Sequence, residues 1–328
     1  MGRLYGIDLF KLIAAFFIVT LHSGLGLLNI DIIVQIKLLC RWAVPFFFIA
    51  SGYLLGLKIQ NNNKENILIN FKRSILNIAG IYIVSIIFYF FFRVFKYDII
   101  YLELDILTGN MCYHLWFLSA LLIGLGVVGI FIYFNCKKLL LAVSALVSLL
   151  LLFSNSYHYF TGFSLDFDTV RLFSAIPFLS IGIYLVKYKN VTFRYSTLIM
   201  VIIGGFFLQY LEAVFFEKYY QFKMALNQML AGTFVVSTAL FLLSKQLVLT
   251  DSRLAGFGKK YSLFIYLYHP FALTFQEEFI FNHLRNVKGY VYMFNPILCF
   301  ATVLIVGILV DKYWNNLFRI STGKIFRQ

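Results

Sequence analysis

The first apolar run of the chain carries three side chains that could do chemistry, namely Asp8, Lys11 and His22. On a helix with about 100° per residue the three fall within roughly 60° of each other, so they share one face. A carboxylate, an ammonium and an imidazole on one face can bind a zwitterion or move a proton. Charged groups are costly inside a membrane and usually face a bundle interior or a wet cavity. We therefore predict that these three residues are catalytic.

A simpler interpretation of the same run needs no site. Lys11 would extend to the membrane edge, Asp8 would pair with it, and His22 would be a polar residue near the opposite edge. Against this, His22 lies about 22 Å from Ile7 along a helix, within a hydrocarbon core about 30 Å thick. An imidazole facing lipid there would lack hydrogen-bond partners, at a cost of about 2 kcal/mol or more. We predict that His22 faces an internal cavity, with Glu212 as its favoured partner.

Polar residues on later apolar runs are predicted to line the same site. Gln209 and Glu212 are three apart and share a helix face, although Glu212 alternatively reaches the lipid headgroups. His269 lies mid-span beside Pro270, where buried polarity needs a partner. For other positions a structural role stays open, such as an external ion pair between Arg171 and the preceding aspartates. The predicted substrate-binding residues are Glu212, Gln209, His114, Arg171, His269, Arg41 and Trp116.

Composition places the chain among multi-pass membrane proteins. Of its 328 residues, 61% are hydrophobic and only 13% are charged, which excludes an ordinary soluble domain. The net charge of +14 could suggest nucleic acid, but the basic residues lie in short loops between apolar runs, which is the orientation signal of membrane proteins. The partner is therefore a lipid bilayer and not nucleic acid. The four cysteines are scattered without metal-ligand spacing, which predicts neither disulfides nor a metal site.

The apolar runs predict an all-α bundle of about ten transmembrane helices in one domain over residues 1–328. The more basic set of loops, which includes Lys72, Arg73 and Lys137, is expected on the cytoplasmic side together with both termini. A proline at position 45 would free a carbonyl inside the second helix, and Ser51-Gly52 would let helices approach closely. The predicted helices are 7–28, 35–57, 74–95, 112–134, 139–154, 170–186, 197–216, 227–244, 261–281 and 293–316.

These runs resemble the acyltransferase-3 family of integral membrane acyltransferases. In that family a basic residue and a histidine on the first helix are separated by ten residues, as Lys11 and His22 are here. The 44–53 run resembles its second helix, and the 114–118 run resembles a motif of its fourth segment. The segments 177–182 and 262–270 recur in its later helices. The resemblance implies a multi-pass protein of the bacterial plasma membrane.

Within this family the chain is similar to the membrane half of the serine/alanine racemases of vancomycin resistance. In those proteins a cytoplasmic racemase domain with pyridoxal phosphate follows the membrane part. The resemblance implies that this chain binds L-serine and delivers it to such a domain, for peptidoglycan precursors that end in D-serine. Pyridoxal phosphate would then belong to that following domain in the parent protein, and no cofactor is expected in this chain.

Two alternatives stay open. In the first, the chain is a membrane O-acyltransferase that moves an acyl group from cytoplasmic acyl-CoA to an acceptor outside, with His22 as general base and Lys11 holding the CoA phosphate. The family usually has Arg at position 11 and often Glu at position 121, where this chain has Lys11 and Leu121. Lysine lacks the planar fork that binds phosphate in two contacts. In the second, the chain only anchors the racemase.

Overall fold

The computed structural model describes residues 3–25, 29–60, 63–97, 113–162, 165–250, 252–278 and 293–323. These ranges contain helices and no strand, which confirms the all-α prediction. Seven stretches are long and apolar enough to cross a membrane. The helices are α1 (Tyr5–His22), α2 (Ile30–Leu39), α3 (Ala43–Ile59), α4 (Lys64–Tyr97), α5 (Trp116–Tyr133), α6 (Lys137–Phe153), α7 (His158–Thr161), α8 (Phe167–Val170), α9 (Ala175–Leu185), α10 (Tyr195–Tyr220), α11 (Ala231–Gln246), α12 (Arg253–Gln276), α13 (Asn295–Tyr313) and α14 (Asn315–Ser321).

The chain forms two compact units. The first unit comprises Met1–Phe47 and Thr192–Asn315. In it α1 packs against α11, α12 and α13, and α10 packs against α11. The first apolar run is thus a central helix of its unit, and its polar face is opposed by helices that lie more than two hundred residues further along the chain.

The second unit comprises Phe48–Val191 and Asn316–Gln328, with α4 packed on α5, and with α5 and α6 packed on α9. The remainder of α3 approaches α9 backbone to backbone. A β-carbon on Gly52 would lie 2.2 Å from the Leu179 carbonyl oxygen, and one on Gly182 would lie 2.2 Å from the Ile49 carbonyl oxygen. The prediction that Gly52 permits close helix contact is confirmed.

The predicted second span at 35–57 lies within one candidate membrane span, Ile30–Ile59, but it is not one continuous helix, because α2 ends at Leu39 and α3 begins at Ala43. Pro45 has no N–H to donate to the Arg41 carbonyl, so a helical ladder cannot run unbroken through this point. In the structure Pro45 is the third residue of α3, where a missing N–H costs no helical bond. It therefore frees no carbonyl in the middle of a helix.

Several helices differ in length from their predictions. The Asn63 side chain accepts a hydrogen bond from the Asn66 N–H at 3.0 Å, and α4 begins at Lys64, ten residues earlier than the apolar run. Helices α6 and α11 have 17 and 16 residues, near the lower limit for a span. The count of ten and the cytoplasmic termini thus stay predictions. The predicted helix ends at 28, 112 and 281 lie outside the described residues.

Candidate functional site

The start of α1 carries an amino-end cluster, which we define as Arg3, Asp8 and Lys11. The Asp8 carboxylate contacts Arg3 Nε at 3.3 Å and Lys11 Nζ at 3.4 Å, and Asp8 itself is 8% exposed. The spacing of three residues brings Asp8 and Lys11 together, as the helical face predicts. Arg3 was not predicted from the sequence because it precedes the apolar run; the available signal was a basic residue five positions before a buried acid.

Helix α12 closes over the amino-end cluster. A β-carbon on Gly258 would lie only 1.8 Å from the Asp8 carbonyl oxygen, so the two backbones touch here. The charge of Lys259 also acts on Lys11. Asp8 balances one of the two cations that it contacts, so the cluster keeps a net positive charge. Such a cluster is suited to hold an anionic group.

At the other end of α1 lies a carboxy-end cluster, which we define as His22, Lys37, Arg41 and His269. The His22 and His269 rings stack with centroids 5.4 Å apart and planes 28° apart, and His269 is fully buried. The charges of Arg41 and Lys37 both act on His22. The sequence favours Glu212 as the partner of His22, whereas the ring that lies against it belongs to His269.

Pro270 orients the imidazole of His269. Because proline has no N–H, the Tyr266 carbonyl loses the helical donor that residue 270 would otherwise supply. His269 Nδ1 lies 2.7 Å from that carbonyl oxygen and takes the place of the missing donor. A carbonyl only accepts, so we assign the proton to Nδ1 in the neutral ring, which leaves Nε2 as an acceptor. The adjacent proline thus fixes the tautomer of His269.

The other predicted polar residues of the first unit have backbone partners. Arg41 Nη2 donates to the Ala225 carbonyl at 3.4 Å, and Gln209 Nε2 donates to the Leu38 carbonyl at 2.9 Å. The Glu212 carboxylate accepts the Gly232 N–H at 3.0 Å, near the start of α11. There an acid is favoured by the helix dipole. Glu212 thus contacts the start of α11, whereas Gln209 and Arg41 bring α10 and the α10–α11 connection to the end of α2.

Three predicted site residues belong to the second unit. Arg171 pairs with Asp168 at 3.2 Å, and its guanidinium lies 5.3 Å from the centroid of the Trp116 ring. His114 is 1% exposed, and its ring meets the Tyr89 ring edge-on at 5.2 Å. The ion pair that the sequence offers as an alternative for Arg171 is therefore present.

The first unit places two kinds of chemistry at the two ends of one helix. Lys11 and His22 lie about 16 Å apart along α1, with a cluster of two cations and one acid at one end and a pair of imidazoles at the other. Among the described residues no group of three histidine, cysteine or acidic side chains is placed to hold a metal ion. What these residues can do is bind charged groups and transfer protons.

The sequence of this chain is similar to a known protein family and to two curated relatives. A family model described as an acyltransferase domain matches residues 4–312. An amino-acid racemase of Enterococcus faecalis is 26% identical over 98% of this chain, and the match covers 48% of that relative. A second amino-acid racemase of the same species is 29% identical over 47% of this chain and 22% of the relative. No solved structure matches.

The chain thus spans about half the length of the first of these relatives. The family match covers both ends of α1 and every other helix that supplies a residue to the two clusters. Together with the seven apolar helical stretches, it identifies a multi-pass membrane protein. The chain belongs to the acyltransferase-3 family.

Proposed function

We propose that this chain is a membrane domain that binds L-serine at its carboxy-end cluster and delivers it to a racemase domain. The observation that carries the proposal is the stacked pair of His22 and His269 beside two cations. Within the described ranges neither Lys37 nor Arg41 forms an ion pair with a carboxylate. A ligand that brings its own carboxylate would complete the charge balance.

The similarity to longer proteins supports the second part of the proposal. The first relative is named an amino-acid racemase, and this chain aligns with 48% of it. A racemase domain in the remainder of such a protein would receive the amino acid that the membrane domain binds. Pyridoxal phosphate would supply the racemisation chemistry in that domain, and the residues of this chain would bind and orient the substrate.

Binding of radiolabelled L-serine to the chain in proteoliposomes tests the proposal. We expect saturable binding that falls about twofold to tenfold in His22→Ala, since a hydrogen bond between neutral groups is worth about 0.5–1.5 kcal/mol. His22→Gln is the shape control and should keep normal folding. His158→Ala is the matched control, because it removes a histidine of α7 in the second unit.

Two results would overturn the proposal. One is the absence of saturable serine binding in the wild-type chain. The other is a His22→Ala variant that binds serine as tightly as the wild type. If this chain is replaced by an unrelated membrane anchor in the parent racemase and the fusion keeps full racemisation and resistance, the anchoring alternative is favoured instead.

A second candidate function is acyl transfer from acyl-CoA, and the amino-end cluster favours it. Arg3 and Lys11 share one acid, so the cluster can hold a CoA phosphate, while His22 about 16 Å away on α1 would be the general base. Labelled acetyl-CoA should then raise the melting temperature and yield an acyl product, and Lys11→Ala should abolish the shift. No shift and no product in the wild type would exclude this candidate.

A further inference from the structure

Arg41 of the carboxy-end cluster and the neighbouring Gln209 each have a buried polar atom with no hydrogen-bond partner among the described residues. These atoms are Nε of Arg41, which is a donor, and Oε1 of Gln209, which is an acceptor. Gln209 is 1% exposed. A buried polar group without a partner costs free energy, so such atoms normally have a partner in the working protein. One unsatisfied donor and one unsatisfied acceptor together indicate a ligand with both kinds of group.

The backbone of α2 holds these two residues together. The Leu38 carbonyl accepts the Gln209 side-chain amide at 2.9 Å, and it also accepts the backbone N–H of Arg41 at 3.2 Å. The far end of the Arg41 guanidinium is fixed on the Ala225 carbonyl at 3.4 Å. Arg41 is therefore anchored through Nη2 and Gln209 through Nε2, which leaves Nε of Arg41 and Oε1 of Gln209 for a ligand.

The charges near these atoms select the ligand. Lys37 lies in electrostatic range of Arg41, and both act on His22. In the part of the chain that the structure describes, Arg41 has no carboxylate partner. The donor side of the site is thus cationic and the acceptor side is a neutral amide. A carboxylate suits the former, and an ammonium suits the latter.

We propose that Arg41 and Gln209 form a headgroup subsite for an α-amino acid. Arg41 Nε–H donates to the α-carboxylate, and Gln209 Oε1 accepts from the α-ammonium. This assignment rests on the proposed function, and it adds which group of the ligand each residue binds. It leaves the side chain of the ligand to the imidazole pair of His22 and His269, which can accept from a hydroxyl.

Competition against labelled L-serine by analogues that lack one group tests the subsite. Glycerate lacks the ammonium and serinamide lacks the carboxylate, so both should compete at least tenfold more weakly than serine in the wild type. Gln209→Met should lower the affinity for serine at least tenfold and leave the affinity for glycerate unchanged. Arg41→Lys keeps the charge but loses Nε, so it should lower the affinity for serine and leave the affinity for serinamide unchanged.

Gln276→Met is the matched control, because Gln276 is 2% exposed and also has a side-chain oxygen without a partner. It should bind serine like the wild type. Equal wild-type affinities for serine and glycerate would overturn the subsite even if Gln209→Met fails to fold. An equal loss of serine affinity in Gln276→Met and Gln209→Met would also overturn the subsite. Absent serine binding in the wild type would instead refute the proposed function.

Discussion

The role of Pro270 in fixing the His269 ring leads to a quantitative prediction. His269 Nδ1 satisfies the Tyr266 carbonyl because residue 270 has no N–H. In His269→Ala the carbonyl loses this donor inside a buried helix. In the double variant His269→Ala, Pro270→Ala the alanine that replaces the proline has a backbone N–H, which can donate to the same carbonyl. The two substitutions should therefore be coupled.

The expected coupling free energy is about 1 kcal/mol. An unsatisfied buried group costs about 1–3 kcal/mol in general, whereas measured side-chain hydrogen bonds in membrane proteins average about 0.6 and reach about 1.7 kcal/mol. The two ranges overlap at about 1–1.7 kcal/mol, and we take the lower end of the overlap as the expected coupling. His269 is also fully buried, and its loss leaves a cavity in both backgrounds. That contribution cancels in the cycle.

Equilibrium unfolding in bicelles of the wild type, both single variants and the double variant measures the coupling. His269→Ala should destabilise the chain that keeps Pro270 by about 1 kcal/mol more than the chain that carries Pro270→Ala, which is about a fivefold difference in the unfolding constant. The pair His158→Ala and Pro270→Ala is the control and should be additive. Additivity within about 0.5 kcal/mol in the first cycle would refute the assigned tautomer.

Two further predictions concern packing and capping. Gly258→Ala should lower the free energy of unfolding by about 1–3 kcal/mol, because its β-carbon would lie 1.8 Å from the Asp8 carbonyl oxygen. Gly256→Ala is its control, since the nearest atom lies 3.8 Å away, and it should be neutral or stabilising by up to about 1 kcal/mol. Hydrogen bonds from Thr169 lower the pKa of the Asp166 carboxyl, so the cap of α8 stabilises above the ordinary pKa and is lost as pH falls through the lowered value. The protection factor of the Thr169 amide in hydrogen exchange should fall in acid, and Asp166→Asn should remove this pH dependence while Asp166→Ala removes the protection at every pH.

The sequence predicted local geometry best. Asp8 and Lys11 meet because residues three apart on a helix lie on one face within reach of each other. Arg171 and Asp168 meet for the same reason. The position of the α2–α3 break was missed, although Pro45 was the signal for it, because the surrounding apolar run is continuous and hydropathy does not register a missing N–H.

The partner of His22 could not be predicted in the same way. Its ring stacks on a residue of α12, and which helix lies against α1 is decided by packing over the whole unit. Depth in the membrane favoured Glu212 near the outer end of its helix, whereas His269 was predicted to lie in mid-span. The Gly232 N–H near the start of α11 engages the Glu212 carboxylate, and a single sequence does not reveal such a backbone donor.

The two clusters impose different requirements on any substrate. At the amino end Asp8 contacts both Arg3 and Lys11, so a ligand there competes with an internal carboxylate. At the carboxy end no described carboxylate pairs with Arg41, and a ligand carboxylate would meet no such competitor. An amino acid therefore gains more binding free energy at the carboxy end. A multiply charged phosphate could instead displace the Asp8 carboxylate from its two cations at the amino end. The same helix can thus serve an acyltransferase or an amino-acid-binding domain, and the charge balance at Arg41 favours the second for this chain.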